Sequence, residues 1–263
     1  MIFFGEGING LNPTVYKLLV ERDREAVQRL AKKQSDAGAA YLDLNTGTAW
    51  LRPAEVMVWL VKTVQEVVDT PLAIDSRRPD VIEAGLKTCR APAVINSTTG
   101  QKEKLDRFMG LAAQYGAGIV ALTMDDQGIP PHAVGRAAIS KRILDYAESH
   151  GIPRERVYID PVVLPLKFSQ VQGPVILETI RQVGKERTPP HIVVGLSNVS
   201  QGAKERKLIN RTFLTMAVAC GLDAVIADVL DVELVKAVKA AEIILERTPY
   251  SDQFLRGGKR EVA

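Results

Sequence analysis

The chain has 263 residues, 46% of them hydrophobic and 25% charged, with a net charge of +3. That balance suits a soluble globular protein with a sizeable core. It is too mild for a nucleic-acid binder, and aromatic residues at 5% leave no base-stacking platform. No apolar run approaches the roughly 20 residues of a membrane span, MIFFGEGING turns polar too early for a secretory signal, and two cysteines without a CxxC fit reduced thiols in the cytoplasm.

Short apolar runs alternate with amphipathic segments along the chain. Strands are expected over 2–6 (IFFGE), 40–45 (AYLDLN), 71–76 (PLAIDS), 93–97 (AVINS), 118–124 (GIVALTM), 157–161 (VYIDP), 191–198 (HIVVGLSN) and 224–228 (AVIAD). Near-continuous apolar runs suit strands covered on both faces, as in a parallel sheet. Between them, Val56, Trp59, Leu60, Val64 and Val67 recur at helical spacing, as do Leu105, Phe108, Leu111, Ala112 and Tyr115. Leu234, Val235, Val238 and Ile244 repeat the pattern near the end. Pro53 and Pro79 stand where a first helical turn would begin. Gly38, Gly116, Gly151 and Gly221 each fall between a helical segment and a strand, the place for a left-handed helix stop. Eight such units without a linker predict one α/β domain over 1–263, a single (β/α)8 barrel. The alternative is an open doubly wound sheet, weakened because no G-x-G-x-x-G follows the first strand.

In such a barrel the carboxyl ends of the strands form the active face. Here they carry Glu6 and Asn9, Asp43 and Asn45, Asp75 and Ser76, Asn96 and Ser97, Thr123 and Met124, Asp160, Ser197 and Asn198, and Asp228. No histidine is among them, since His132 approaches a helix, His150 ends one and His191 begins a strand. A histidine triad or histidine metal site is therefore disfavoured, and no metal is expected. No glycine-rich phosphate cradle follows the seventh or eighth strand. Asp, Asn and Ser suit a neutral heteroaromatic ligand, because a carboxylate accepts paired N–H bonds and an amide both donates and accepts. For Asp43 and Asp228, capping the next helix is an equally good reading.

Taken together, LDLN, AIDS, VINST, YIDP and GLSNVS resemble the pterin-binding barrels related to dihydropteroate synthase and to the folate domain of cobalamin-dependent methionine synthase. Within that group the chain is most similar to the methyltetrahydrofolate:corrinoid-protein methyltransferases, along almost its whole length. The resemblance implies that Asp75, Asn96 and Asp160 hold the pterin ring and that Asn198 reaches its N5. It further implies that Gly195 and Ser197 line the same wall, with Gln201 and Arg206 touching the folate further out. Asn198, Asp160 and Asp75 are the implied catalytic residues. The implied substrate is methyltetrahydrofolate or tetrahydrofolate, with cobalamin supplied by a separate corrinoid protein, and the implied assembly is a homodimer. One departure stands in the first-strand motif, usually G-E-R-I-N, which reads Gly5-Glu6-Gly7-Ile8-Asn9 here.

Two other readings stay open. A dihydropteroate synthase-like enzyme shares the Asp, Asn and Asp positions but needs basic residues at the seventh and eighth strand ends. None stands beside Ser197-Asn198 or in IAD. A module that binds pterin or corrinoid protein without catalysis is the second.

Overall fold

In a computed structural model of the chain, residues 1–255 are described, and residues 256–263 of the expected domain lie outside them. Eight parallel strands close into a barrel in chain order. They are β1 (Ile2–Asn9), β2 (Tyr41–Asn45), β3 (Leu72–Asp75), β4 (Val94–Thr99), β5 (Gly118–Leu122), β6 (Val157–Asp160), β7 (His191–Gly195) and β8 (Ala224–Ala227). The helices outside are α1 (Pro13–Val20), α2 (Arg24–Asp36), α3 (Pro53–Gln65), α4 (Pro79–Thr88), α5 (Lys102–Tyr115), α6 (Ala133–Ser149), α7 (Gln172–Val183), α8 (Arg206–Cys220), α9 (Val232–Ile244) and the short α10 (Asp252–Leu255). This is the (β/α)8 barrel that the alternation of runs implies.

The local signals act where expected. Pro53 and Pro79 open α3 and α4. Gly38, Gly116, Gly151 and Gly221 all take positive φ, so each turns the chain out of a helix at an angle that a Cβ would resist.

Two strand ends depart furthest from the sequence reading, each by three residues. β1 runs on to Asn9 because its pairing with β2 shifts register between Gly5 and Ile8 and then resumes. That bulge is built round Gln34 of α2. Its Oε1 accepts from the Gly7 N–H at 2.8 Å, and a Cβ on Gly5 or Gly7 would lie within 2.8 Å of its amide. Gln34 is buried and fills the space that a side chain at position 7 would enter. β7, in turn, stops at Gly195, and Leu196–Asn198 form a single 3₁₀ turn.

Side chains on a strand alternate between faces, so every second residue enters the barrel. Inside lie Phe4, Tyr41, Ala73, Val94, Val120, Tyr158, Val193, Ala224 and Ile226. Phe4 stacks on Tyr41 with ring centroids 4.6 Å apart and meets Tyr158 edge-on at 5.2 Å. Tyr158 stacks on His191 at 4.8 Å. These rings plug the barrel. The larger apolar cluster, which includes Leu42, Leu60, Ile74, Ile95, Ile159 and Leu214, packs the opposite strand faces against the helices.

Candidate active site

Two residues above the plug, the inward position changes character on nearly every strand. It is Glu6 above Phe4, Asp43 above Tyr41, Asp75 above Ala73 and Asn96 above Val94. It is Asp160 above Tyr158, Gly195 above Val193 and Asp228 above Ile226, with Leu122 on β5 the apolar exception. Strand register sets Asn45 beside Asp75 and Asp75 beside Asn96. The polar strand ends of the sequence thus form one ring at the carboxyl mouth.

Hydrogen bonds tie the ring together. Asn45 Nδ2 donates to Asp75 Oδ2 at 2.6 Å, and Asn96 Nδ2 to Asp43 Oδ1 at 3.0 Å. Ser197 Oγ donates to Glu6 Oε1, joining β7 to β1. The Val162 N–H donates to Asp160 Oδ1 at 2.7 Å. Asp43 therefore belongs to the site and caps no helix. α3 begins at Pro53 behind Arg52. Asp228 accepts from the Leu230 N–H, and it is Asp231 that caps α9.

Burial sets the protonation of these acids. Asp43, Asn96 and Asp160 expose 3%, 7% and 7% of their surface, so a charge there is poorly hydrated. Burial pushes Asp160 up to about 7, against the pull of the Val162 N–H and of the Arg136 charge. Asp75 is pushed up to about 6 by burial, opposed by its bond from Asn45 and by Arg77. Asp43 is driven well above the ordinary carboxylate range by burial and by neighbouring Asp75. Burial also raises Glu6, against its bond from Ser197 and with a push from Asp228. Carboxylic acids that titrate near neutrality in one cleft mark a working site.

The turn after β7 supplies the rim. Asn198 is exposed, and its amide nitrogen would lie 3.1 Å from a Cβ on Gly195. Gly195 holds the inward position on β7, so Asn198 lays its amide across the place where a side chain would point into the barrel. Arg206 opens α8, and its guanidinium donates to the Ser197 carbonyl at 3.0 Å and to Ser200 Oγ at 3.1 Å. Two of its nitrogens thus hold this turn in shape. Gln201 is exposed just beyond, its N–H bonded to the Asn198 carbonyl.

Sequence reasoning gave no site role to Arg136. This α6 residue is wholly buried and sends its guanidinium beneath the loop that follows Asp160. In the sequence it lies in GRAAISKR, where it reads as one more surface charge of a helix.

A closed parallel barrel with a ring of acids and amides at its carboxyl mouth has the architecture of the barrel enzymes. Residues 12–228 match the pterin binding enzyme family. The chain is 33% identical, over 98% of its length and 97% of the relative's, to a methylcorrinoid:tetrahydrofolate methyltransferase of Eubacterium limosum. It is 27% identical over 86% of its length to the methionine synthase of Mycobacterium leprae, of which it spans 20%. Among solved structures, a Yersinia pestis dihydropteroate synthase with a pterine-sulfa conjugate superposes with a TM-score of 0.64, covering 84% of this chain and 90% of that one at 14% identity. A Coxiella burnetii dihydropteroate synthase in complex with pteroic acid gives 0.62, covering 84% and 85% at 14% identity. At such identity these two speak to the fold alone. The chain belongs to the pterin-binding enzyme family.

Proposed function

We propose that the protein moves a methyl group between N5 of methyltetrahydrofolate and the cobalt of a corrinoid carried by a separate protein, in either direction. The observation that carries this reading is the ring itself, in which Asp75, Asn96 and Asp160 stand on one inward layer with Asn198 laid over its edge. The donor set fits a pterin. Carboxylates on opposite sides accept N–H bonds from an amino-pyrimidinone, and amides serve its carbonyl and ring nitrogens. The family match and the full-length similarity to a methyltransferase support the same reading.

The chemistry sets a clear demand. The N5 of tetrahydrofolate is a poor leaving group, so the protein has to stabilise electron density that builds on N5 as the carbon–nitrogen bond breaks. The corrinoid cobalt supplies the methyl acceptor or donor. Asn198 donates an amide N–H towards N5, and that bond strengthens as the bond to carbon lengthens. An interaction stronger in the transition state than in the ground state is what raises the rate. Asp75 and Asp160, lifted to about 6 and about 7, exchange protons readily at neutral pH and feed a hydrogen-bonded route to the ring. Gln201 and Arg206 lie on the rim, where the rest of the folate would leave the pocket.

The homodimer and the cytoplasmic location expected from the sequence belong to this reading. Among the described residues, no helix is long and apolar enough to cross a membrane. An apolar groove between α7 and α8, lined by Leu166, Leu177, Leu208, Phe213 and Met216, is a surface that a second copy would cover. A monomer mass in light scattering would remove the dimer from the proposal.

The test is spectroscopic. Protein, a reduced corrinoid carrier and methyltetrahydrofolate are mixed, and the Co(I) absorbance is followed. Asn198→Ala should slow its loss about a hundredfold, the size typical of a lost oxyanion-hole donor, and weaken folate binding as well. Turnover at the unmodified rate would make Asn198 mere wall. A protein that binds the folate but never bleaches Co(I) is a binding module, and turnover of a diphosphate-pterin would point to the synthase reaction.

A further inference from the structure

Arg136 exposes none of its surface, yet among the described residues no carboxylate is bonded to it. Its Nε donates to the Pro130 carbonyl at 2.9 Å. One terminal nitrogen donates to the carbonyls of Pro161 at 2.8 Å and Val162 at 3.2 Å. The other donates to Gln172 Oε1, on the first residue of α7. A buried cation without a bonded counterion is costly, and such groups are kept where they fix something.

What it fixes is the turn after β6. Val162 has φ 63°, a left-handed conformation that a β-branched residue adopts only when its surroundings hold it there. The Pro161 carbonyl, on the same peptide unit as the Val162 N–H, accepts from Arg136, and that N–H donates to Asp160 Oδ1. One guanidinium therefore pins the peptide that aims a donor at the pocket carboxylate. The neighbouring strands place no charge beside Asp160, since β5 sets Leu122 there and the nearest inward positions of β7 are Val193 and Gly195, with His191 one layer lower against Tyr158. From the helix side come Arg136 and the neutral Gln172. Across the mouth, Asp75 and Glu6 both bear on Asp43, Asp228 and Arg206 on Glu6, and Arg77 on Asp75.

We propose that Arg136 is a positioning residue for Asp160, holding Val162 in its left-handed turn and lending its charge to keep the pocket carboxylate ionised. The consequence for ligand affinity rests on the reading of this pocket as a pterin site. The positioning itself does not. In the unliganded protein, carbon-13 NMR of labelled aspartate, assigned with Asp160→Asn, follows the Asp160 carboxyl, and nitrogen-15 NMR follows the Val162 amide. The Asp160 midpoint near 7 should rise by about one unit or more in Arg136→Met, which removes an opposite charge. Arg136→Lys keeps a charge in the same place and retains a fold if the methionine variant does not. It cannot span four acceptors. Its Asp160 midpoint should rise less than in Arg136→Met, because the charge remains while the Val162 bond that also holds Asp160 down is lost, and the Val162 amide loses the pH-dependent shift that reports that bond. Tetrahydrofolate binding, measured by calorimetry, should fall about tenfold in Arg136→Lys, as expected for one impaired hydrogen bond to a charged group. Adding Val162→Gly, which takes positive φ without strain, should restore most of that loss. An unchanged Val162 shift in Arg136→Lys, or an unchanged midpoint in a folded Arg136→Met, overturns the proposal. Binding at the unmodified level in Arg136→Lys, or failure of Val162→Gly to restore it, overturns the route through Val162. If the unmodified protein binds no tetrahydrofolate, the pterin reading fails, and the two NMR measurements still decide the role of Arg136.

Discussion

The lower and upper halves of the barrel interior are built from the same strands, two residues apart, to opposite ends. Below, Phe4, Tyr41, Tyr158 and Val193 fill space and gain stability by leaving water. Above, Glu6, Asp43, Asp75 and Asp160 are held from water at a cost, which shows in carboxyl groups raised towards neutrality. The lower layer should govern whether the protein stays folded, the upper one what it binds. The two can be separated by experiment.

The largest effect belongs to the plug. Phe4→Ala removes a fully buried ring that touches both tyrosines, and should cost about 3–5 kcal/mol, as such truncations do. Thermal unfolding would show a melting temperature lower by roughly 10 °C, with tetrahydrofolate affinity within a few-fold of its starting value. A large loss of affinity with little loss of stability would break the division.

Asp160→Asn should act the opposite way. The native carboxyl titrates near 7 against an ordinary 3.8, so the folded protein holds this proton more tightly than the unfolded chain. Its contribution to stability therefore falls as pH rises from about 4 to about 7. The variant escapes that fall. It should be more stable than the unmodified protein at pH 8, by on the order of 2–4 kcal/mol, and the gap should close by about pH 4. Calorimetry should meanwhile show tetrahydrofolate affinity reduced at least tenfold, from the loss of a charged acceptor. A variant that is both less stable at pH 8 and normal in binding would place Asp160 with the plug.

The smallest effect sharpens the boundary. Gly195→Ala puts a methyl group 3.1 Å from the Asn198 amide. Turnover should drop several-fold with a smaller rise in KM, while the melting temperature barely moves. An equal change in KM would mean that Asn198 holds the ring rather than serving the transition state.

The barrel was legible because its signals are local. β-branched runs, helical spacing, prolines at helix starts and glycines at helix stops each act within a few residues. Asp75, Asn96 and Asp160 were legible because each directly follows an apolar run. Asp43 was ambiguous, since it sits inside YLDLN, and only the alternation with Tyr41 and Asn45 marks it as inward-facing. Arg136 left no trace, because its partners at Pro130, Pro161, Val162 and Gln172 lie before and well after it in the chain. The early end of β7 was hidden because GLSN continues an apolar strand, while the 3₁₀ turn reveals itself only in its backbone.

The glutamine wedged under the first strand couples two positions far apart in the chain. A side chain placed at position 7 would meet the end of the Gln34 side chain within 3.0 Å. Gln34 would first have to shrink or swing away, releasing the Gly7 amide that it satisfies. Positions 7 and 34 are thus expected to vary together, a larger residue at 7 going with a shorter or redirected one at 34.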